Sequence, residues 1–219
     1  YDGEYHGIPV KKLLDNVCIH FVPISNPDGM AISQFGIDGI HNSGIRQDIA
    51  NMNNLEGYTE WKANANGVDL NRNFDAGWTD FVGSDKPSSE RYKGAYPGCE
   101  AESAALIELT KKYHIKRSIS YHTCGALIYW YYKQEETVLE DSRKFAQRIS
   151  DETGYPLDSD YTAVDAAGFK DWAVYKMGIP SITIETGVET GDSVPNPVPI
   201  DRFGNIWQCN KDVVYATVY

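Results

Sequence analysis

Short apolar segments alternate with segments of helical period through the second half of the chain, and this pattern limits the fold more than any other feature. Apolar residues recur at helical spacing over residues 137–153, and Gly154 supplies a C-terminal stop. The same reasoning predicts strands at 115–121, 126–131 and 181–184 and helices at 100–113, 170–177 and 202–217. Because strands alternate with helices, we predict an α/β fold with a mixed, largely parallel sheet flanked by helices.

The first half of the chain has weaker periodicity. Alternation over residues 17–22 predicts a strand, and the sequence NPDG at 26–29 is typical of a turn. A long irregular region then runs over residues 40–98, broken only by a short strand directly ahead of Asn71. Loops of this length in a compact domain usually carry function.

Composition and charge exclude several classes of protein. The chain has 219 residues, enough for one sizeable domain or two small ones, and its apolar fraction of 42% is that of a packed globular protein. The sequence has no obvious linker, and we predict one domain over 1–219. A formal net charge of −11 argues against nucleic acid and anionic membrane surfaces as partners. The four cysteines are scattered without C-x-x-C pairs, so neither a zinc ribbon nor a disulfide scaffold is indicated.

The segment GVDLNRNF at 67–74 places Arg72 beside the short amide Asn71. Arginine offers a rigid planar fork of donors that matches a carboxylate bidentately, and Asn71 can add an amide donor. Such a pair suits an enzyme that grips the terminal carboxylate of a peptide. The alternative is a polar turn with a solvated arginine.

Two strand ends carry residues with catalytic chemistry. His122 ends the strand in SYHTCG, and Glu185 follows the apolar run Ile182-Thr183-Ile184 in ITIETG. A carboxylate placed there costs desolvation unless it is used or paired. Together the two residues suggest a metal ligand and a general base. The alternatives are a satisfied core or rim histidine for His122 and a structural ion pair for Glu185.

Six motifs together resemble the zinc carboxypeptidases of the carboxypeptidase A/T family. In chain order they are NPDG, WKANANGVDLNRNF, YKGAYPGCEAES, SYHTCG, GFKDW and ITIETG. The WKAN segment, the YHT strand and GFKDW are most similar to the bacterial branch that cleaves γ-D-glutamyl bonds to diaminopimelate in cell-wall peptides. The resemblance covers the chain from about Asn16 onward. It implies the fold of this family and a zinc cofactor.

The resemblance also implies roles for individual residues. His122 would be a zinc ligand, and Glu185 would be the general base and acid. Asn71 and Arg72 would hold the terminal carboxylate of the substrate. A secreted or cell-wall location would follow from the same family.

Three further positions match the family less closely. Lys62 stands where the family usually has an arginine that stabilises the oxyanion, and lysine lacks the planar fork. Lys170 in GFKDW falls near the specificity pocket, where a cation would favour an acidic side chain such as that of diaminopimelate. Its alternative is a solvated helix charge. Tyr161 is a candidate for the mobile tyrosine of the family, with an ordinary rim tyrosine as the alternative.

The H-x-x-E motif that supplies the other two zinc ligands of the family is absent from this sequence. The five histidines are each followed, three positions later, by another residue type: Pro9, Pro23, Gly44, Arg117 and Gly125. Since catalytic zinc normally takes three protein ligands plus water, only one ligand is recognisable. Truncation at the N-terminus and loss of the motif are the two explanations. For this chain alone we expect little zinc binding and no hydrolysis.

Three functional hypotheses follow. The first is a zinc metallopeptidase that hydrolyses a peptide bond near a free carboxylate, such as the γ-D-glutamyl-diaminopimelate bond of cell-wall peptides. The second is a general metallocarboxypeptidase that acts on ordinary peptides. The third is a non-catalytic domain that binds peptide or peptidoglycan and has an incomplete zinc site. All three have a peptide or cell-wall peptide as partner.

Overall fold

The computed structural model describes residues 3–159, 166–187 and 197–219. Chain contacts divide the molecule into two units. The first unit takes the described residues of Tyr1–Pro23, Arg117–Tyr161 and Pro180–Tyr219, and the second takes those of Ile24–Lys116 and Thr162–Ile179. The prediction of one domain over 1–219 stays a prediction.

The first unit is built on a mixed sheet of three strands in the order β3-β5-β4. Strand β3 is Ser118–Thr123, β4 is Leu127–Tyr129 and β5 is Ser181–Thr186. The central strand β5 pairs with β3 in parallel and with β4 in antiparallel orientation. A short antiparallel pair, β1 (Glu4–Tyr5) with β2 (Ile8–Pro9), also belongs to this unit. The α/β class with a mixed sheet is thereby confirmed.

Helices of the first unit share an apolar core with this sheet. The helices are α1 (Val10–Leu14), α5 (Glu136–Thr153), α7 (Phe203–Asn210) and α8 (Val213–Val218). Alternate residues of β5 face the core, where Ile182 and Ile184 are fully buried. The same core holds Tyr5, Val10, Ile128, Trp130, Phe145, Ile149, Tyr155, Val213 and Ala216. Burial of this apolar surface is the main force that orders the sheet.

The second unit is helical and irregular. Its helices are α2 (Pro27–Phe35), α3 (Ser43–Met52), α4 (Ala101–Lys112) and α6 (Phe169–Lys176). A small apolar cluster holds α2 and α3 against the following segment, and its buried members are Ile32, Ile49, Trp61 and Ala63. Among the described residues, no helix is long and apolar enough to cross a membrane. The four cysteines are free thiols.

Several sequence predictions of local structure are wrong. Residues 17–22 form no strand, and Phe21 is 75% exposed, because alternation gives β propensity but no described strand pairs with this segment. NPDG does not form an isolated turn but begins α2, with Pro27 in the first helical turn. The region 40–98 contains α3, and a 3-10 turn, Leu70–Arg72, replaces the strand predicted ahead of Asn71.

Two predicted helices differ in detail. In α4 the buried residues are Ser103 and Thr110, whereas Ala105, which the helical spacing of apolar residues predicts to face inward, is exposed. The Thr110 hydroxyl donates to Leu106 O at 2.7 Å, so this polar residue can be buried without an unsatisfied group. The last predicted helix is divided into α7 and α8, and Phe203, which its apolar pattern predicts to be buried, is 62% exposed.

Candidate functional site

The carboxyl ends of β3 and β5 bring His122 and Glu185 side by side. The two residues are directly paired in the parallel register, so their side chains leave the same face of the sheet. Leu127 of β4 pairs with Glu185 from the other side, which makes Glu185 the central residue of this row. Both His122 and Glu185 are partly exposed. The arrangement thus places an imidazole and a carboxylate together at one edge of the sheet.

Hydrogen bonds fix the backbone directly after Glu185. The Thr186 hydroxyl donates to His122 O at 2.9 Å and so ties the end of β5 to β3. Two residues after Glu185, Gly187 O accepts from the Tyr155 hydroxyl at 2.7 Å. Tyr155 is buried, and its oxygen also accepts from Asn210 Nδ2 at 3.2 Å. These contacts hold the register of His122 and Glu185.

The described residues do not form a complete catalytic zinc site. Such a site normally has three protein ligands and an open position for water. Within 3–159, 166–187 and 197–219, no group of three or more His, Cys, Asp or Glu side chains is placed to hold a metal ion. His122 as a zinc ligand therefore stays a prediction.

In the second unit, Asp69 organises the turn that carries Asn71 and Arg72. Asp69 is buried, and its Oδ1 accepts from Asn71 N at 3.2 Å while its Oδ2 accepts from Arg91 N at 3.0 Å. The acceptor at the first position of a short turn satisfies backbone donors that the turn leaves open. The backbone around Asn71 is therefore held from inside the unit.

The side chains of Asn71 and Arg72 are both engaged with their surroundings. Asn71 Oδ1 accepts from Phe169 N, at the start of α6, at 3.2 Å. Arg72 Nη1 donates to Asn71 O at 2.8 Å, and its guanidinium carbon lies 5.2 Å from the centre of the Phe81 ring. The stacked, partly buried guanidinium is not the solvated arginine of the alternative interpretation.

Asn73 has a structural role that could not be predicted from the sequence. Its side chain is fully buried and donates from Nδ2 to Lys93 O at 2.8 Å and to Tyr96 O at 3.1 Å. Its Oδ1 accepts from Glu100 N at 3.2 Å, directly ahead of α4. The one available signal was its position two residues from Asn71 in an irregular region, where backbone groups need side-chain partners.

The two candidate lysines differ in environment. The Lys170 side chain is 12% exposed and its Nζ lies 2.5 Å from Asp171 Oδ1, so the interpretation as a solvated helix charge is wrong. The Lys62 side chain is 58% exposed, and its Nζ lies 2.8 Å from Glu90 Oε2. Tyr161 lies outside the described residues, so its proposed part as a mobile tyrosine stays a prediction.

A protein-family model described as zinc carboxypeptidase matches residues 4–205 of the chain. The chain belongs to the zinc carboxypeptidase family. This assignment agrees with the order of the six motifs and with the pairing of His122 and Glu185 at the ends of β3 and β5.

Relatives within the zinc carboxypeptidase family are only distantly similar in sequence. The chain is 30% identical to gamma-D-glutamyl-L-diamino acid endopeptidase 1 of Lysinibacillus sphaericus, over 97% of this chain and 52% of that protein. It is 28% identical to human mast cell carboxypeptidase A, over 77% of this chain and 40% of that protein. The chain thus spans about half the length, or less, of these relatives.

A solved structure shows the fold of the zinc carboxypeptidase family. The carboxypeptidase A of Helicoverpa armigera superposes with a TM-score of 0.62, over 90% of this chain and 50% of that protein, at 18% identity. The similarity confirms the fold that the motifs implied. At this level of identity it carries the fold and no more.

Proposed function

We propose that this chain is part of a metallopeptidase that hydrolyses a peptide bond near a free carboxylate, with the γ-D-glutamyl-diaminopimelate bond of cell-wall peptides as substrate. The observation that carries the proposal is the pairing of His122 with Glu185 at the carboxyl ends of parallel strands, where α/β folds place their sites. The similarity to a gamma-D-glutamyl-L-diamino acid endopeptidase supports the choice of substrate class.

Glu185 is the group that we assign to proton transfer. A partly exposed carboxylate at the end of a buried strand can take a proton from the attacking water and deliver it to the leaving amine. The hydrogen bonds of Thr186 and Gly187 hold its backbone in place, which keeps the carboxylate oriented between these two steps.

Arg72 and Asn71 are the residues that we assign to the terminal carboxylate of the substrate. A guanidinium that stacks on Phe81 is oriented before the peptide arrives, so less conformational entropy is lost on binding. Asn71 adds an amide donor from the same turn. Lys62 could stabilise an oxyanion only after its ion pair with Glu90 breaks. Lys62 is therefore a weaker candidate for binding a negative charge than Arg72.

Lys170 is the residue that we assign to the second carboxylate of diaminopimelate. Its ammonium group is largely buried, and burial strengthens its attraction for a negative charge. A substrate carboxylate would share this ammonium with Asp171. We therefore expect Lys170→Gln to weaken the binding of substrates with an acidic side chain more than the binding of neutral substrates.

Glu185→Gln tests the catalytic assignment in the complete protein. We expect kcat to fall by about a thousandfold with little change in KM, because the amide keeps the shape of the side chain but cannot transfer the proton. Glu108→Gln, an exposed change on α4, is the matched control and should keep full activity. Retention of turnover in Glu185→Gln would contradict the assignment.

One observation favours a second function, a domain that binds peptide or peptidoglycan without hydrolysing it. The described residues include Asn71 and Arg72, which we assign to carboxylate binding, but no group of three or more residues placed to hold a metal ion. Metal analysis of the complete protein separates the two functions. Bound zinc with turnover supports the peptidase, whereas peptide binding without zinc or turnover supports the binding domain.

The substrate class needs a separate comparison. Turnover of γ-D-glutamyl-diaminopimelate is measured beside that of ordinary peptides with free and blocked C-termini. Preference for the first substrate supports the proposal made here. Equal or better turnover of ordinary peptides with a free C-terminus would identify a general metallocarboxypeptidase instead.

A further inference from the structure

The start of α6 determines which end of the Asn71 carboxamide can face a ligand. Phe169 N lies 3.2 Å from Asn71 Oδ1. A backbone N–H can only donate, so the atom that it contacts must be the carboxamide oxygen. Oxygen and nitrogen diverge from the same carbon, and the Nδ2 group of Asn71 therefore points away from Phe169 N.

Gly168 and Asp171 enclose this contact. Asp171 Oδ2 accepts from Gly168 N at 3.0 Å, and the side chain of Asp171 is only 6% exposed. A methyl group at Gly168 would lie 2.8 Å from Asn71 Oδ1 and 3.1 Å from Asp171 Oδ2. Glycine at this position thus leaves room for the carboxamide oxygen against the first turn of α6.

We propose that Gly168 and Asp171 are positioning residues that present the amide N–H groups of Asn71 to the substrate carboxylate. The inference rests on the proposed part of Asn71 in carboxylate binding. A reversed carboxamide would bring its oxygen toward a carboxylate, and two acceptors would then face each other. Selectivity for a free carboxylate therefore depends on residues that need not touch the peptide.

Gly168→Ala tests the orientation of Asn71 without any assay of activity. The matched control is Gly57→Ala, because a methyl group at Gly57 meets no atom within 4 Å. Amide signals are followed by ¹H–¹⁵N NMR of the 219-residue chain, with Asn71→Asp to assign the side-chain NH₂ group. We expect Gly168→Ala to shift the Asn71 NH₂ signals and to raise the exchange rate of the Phe169 amide about tenfold. Gly57→Ala should change neither, and unchanged signals in Gly168→Ala would overturn the proposal.

Asp171→Asn is the second variant, since it keeps the shape of the side chain and an acceptor for Gly168 N. If Gly168→Ala does not fold, the same NMR signals are compared between Asp171→Asn and the wild-type chain. We expect the Asn71 NH₂ signals to shift in Asp171→Asn, because an amide oxygen accepts a weaker hydrogen bond from Gly168 N than a carboxylate oxygen does. Identical signals in the two proteins would overturn the proposal.

Binding measurements connect this orientation to selectivity. Two peptides that differ only in a free or an amidated C-terminus are titrated by calorimetry into wild-type protein and Gly168→Ala. We expect Gly168→Ala to raise the Kd of the peptide with a free C-terminus about tenfold and to leave the Kd of the amidated peptide unchanged. Equal losses for both peptides would overturn the proposal, because a general structural defect does not discriminate between them. If the wild-type protein binds neither peptide, the proposed carboxylate binding fails and with it the presentation to a substrate, whereas the NMR comparison still decides whether Gly168 and Asp171 fix the orientation of Asn71.

Discussion

Asn71 and Asn73 show how two identical side chains in one short segment can serve different purposes. Asn71 lies on the turn that we assign to ligand binding and contacts α6 through its oxygen. Asn73 is fully buried and binds three backbone groups from the segment that leads into α4. In an irregular region, a buried amide supplies the hydrogen bonds that a helix or sheet would otherwise provide.

Asn73→Ala is expected to be among the most damaging single changes in the second unit. The substitution leaves Lys93 O, Tyr96 O and Glu100 N without their side-chain partner, and we expect the free energy of unfolding to fall by about 3 kcal/mol. Urea unfolding followed by circular dichroism measures the change. Asn51→Ala, at an exposed position of α3, is the control and should stay within about 0.5 kcal/mol of wild type. Equal effects of the two variants would contradict this account of Asn73.

At the scale of elements, Asn26 and Asn42 begin α2 and α3 with the same type of N-cap. Asn26 Oδ1 accepts from Gly29 N at 2.9 Å, and Asn42 Oδ1 accepts from Gly44 N at 2.9 Å. Asn26 has a further function, because its Nδ2 donates to Lys62 O at 2.9 Å and to Ala63 O at 3.2 Å. The start of α2 is thus joined to the segment that carries Lys62.

We therefore expect Asn26→Ala to lower the free energy of unfolding more than Asn42→Ala does. Loss of an N-cap alone typically costs about 1 kcal/mol, and we expect this value for Asn42→Ala. For Asn26→Ala we expect about 2 kcal/mol or more, since the two bonds to the following segment are also lost. Thermal unfolding of the two variants under identical conditions gives the comparison. Equal losses would mean that the bonds to Lys62 O and Ala63 O contribute nothing.

Elements with strong local signals were predictable from the sequence. Helix α5 has a long apolar period, and Gly154 ends it with a left-handed backbone at φ 75°, as the sequence indicated. Helix α6 and strand β5 were also predicted within a few residues. In contrast, the sequence NPDG predicts a turn where α2 begins, because the same residues can start either structure. The choice depends on the apolar residue Ile32, which finds partners only in the folded unit.

The sequence is enough to name the candidate site residues, which stay a prediction, but it does not give their contacts. Strand ends followed by polar residues located His122 and Glu185, and the register of β3 with β5 then placed them side by side. The contact of Asn71 with Phe169 could not be predicted, because it depends on how α6 meets a segment about a hundred residues earlier. Periodicity carries no information about such distant pairs.

For the molecule as a whole, Tyr5 makes stability sensitive to alkaline pH. Its hydroxyl donates to Glu152 Oε2 at 2.5 Å. Burial, followed by this hydrogen bond to the Glu152 carboxylate, raises the pKa of Tyr5 above its usual value. The neutral phenol is therefore favoured in the folded state. Its contribution to stability is fully present below the pKa of the unfolded chain, near 10, and is lost as pH rises further.

Tyr5→Phe should remove one part of this alkaline destabilisation. Above pH ~10 we expect the free energy of unfolding of the wild-type chain to fall more steeply than that of Tyr5→Phe, by roughly 1.4 kcal/mol per pH unit. Urea unfolding between pH 8 and about 11 measures both slopes, and the difference removes the contribution of the other tyrosines. Parallel slopes would contradict the raised pKa of Tyr5.

The buried carboxylate of Glu100 also affects how readily Asn66 loses its side-chain amide. Asn66 precedes Gly67, a pair in which the glycine nitrogen readily attacks the asparagine side-chain carbonyl, expels ammonia and forms a cyclic imide that water opens to aspartate or isoaspartate. In the folded chain Gly67 N donates to Asn64 O at 3.0 Å, and Asn66 Nδ2 donates to Glu100 Oε2 at 2.8 Å, so both reacting groups are restrained. Deamidation of Asn66 should therefore take place mainly in the unfolded chain. Once it has occurred, refolding would place a new carboxylate against Glu100, so each unfolding event carries a risk of permanent damage.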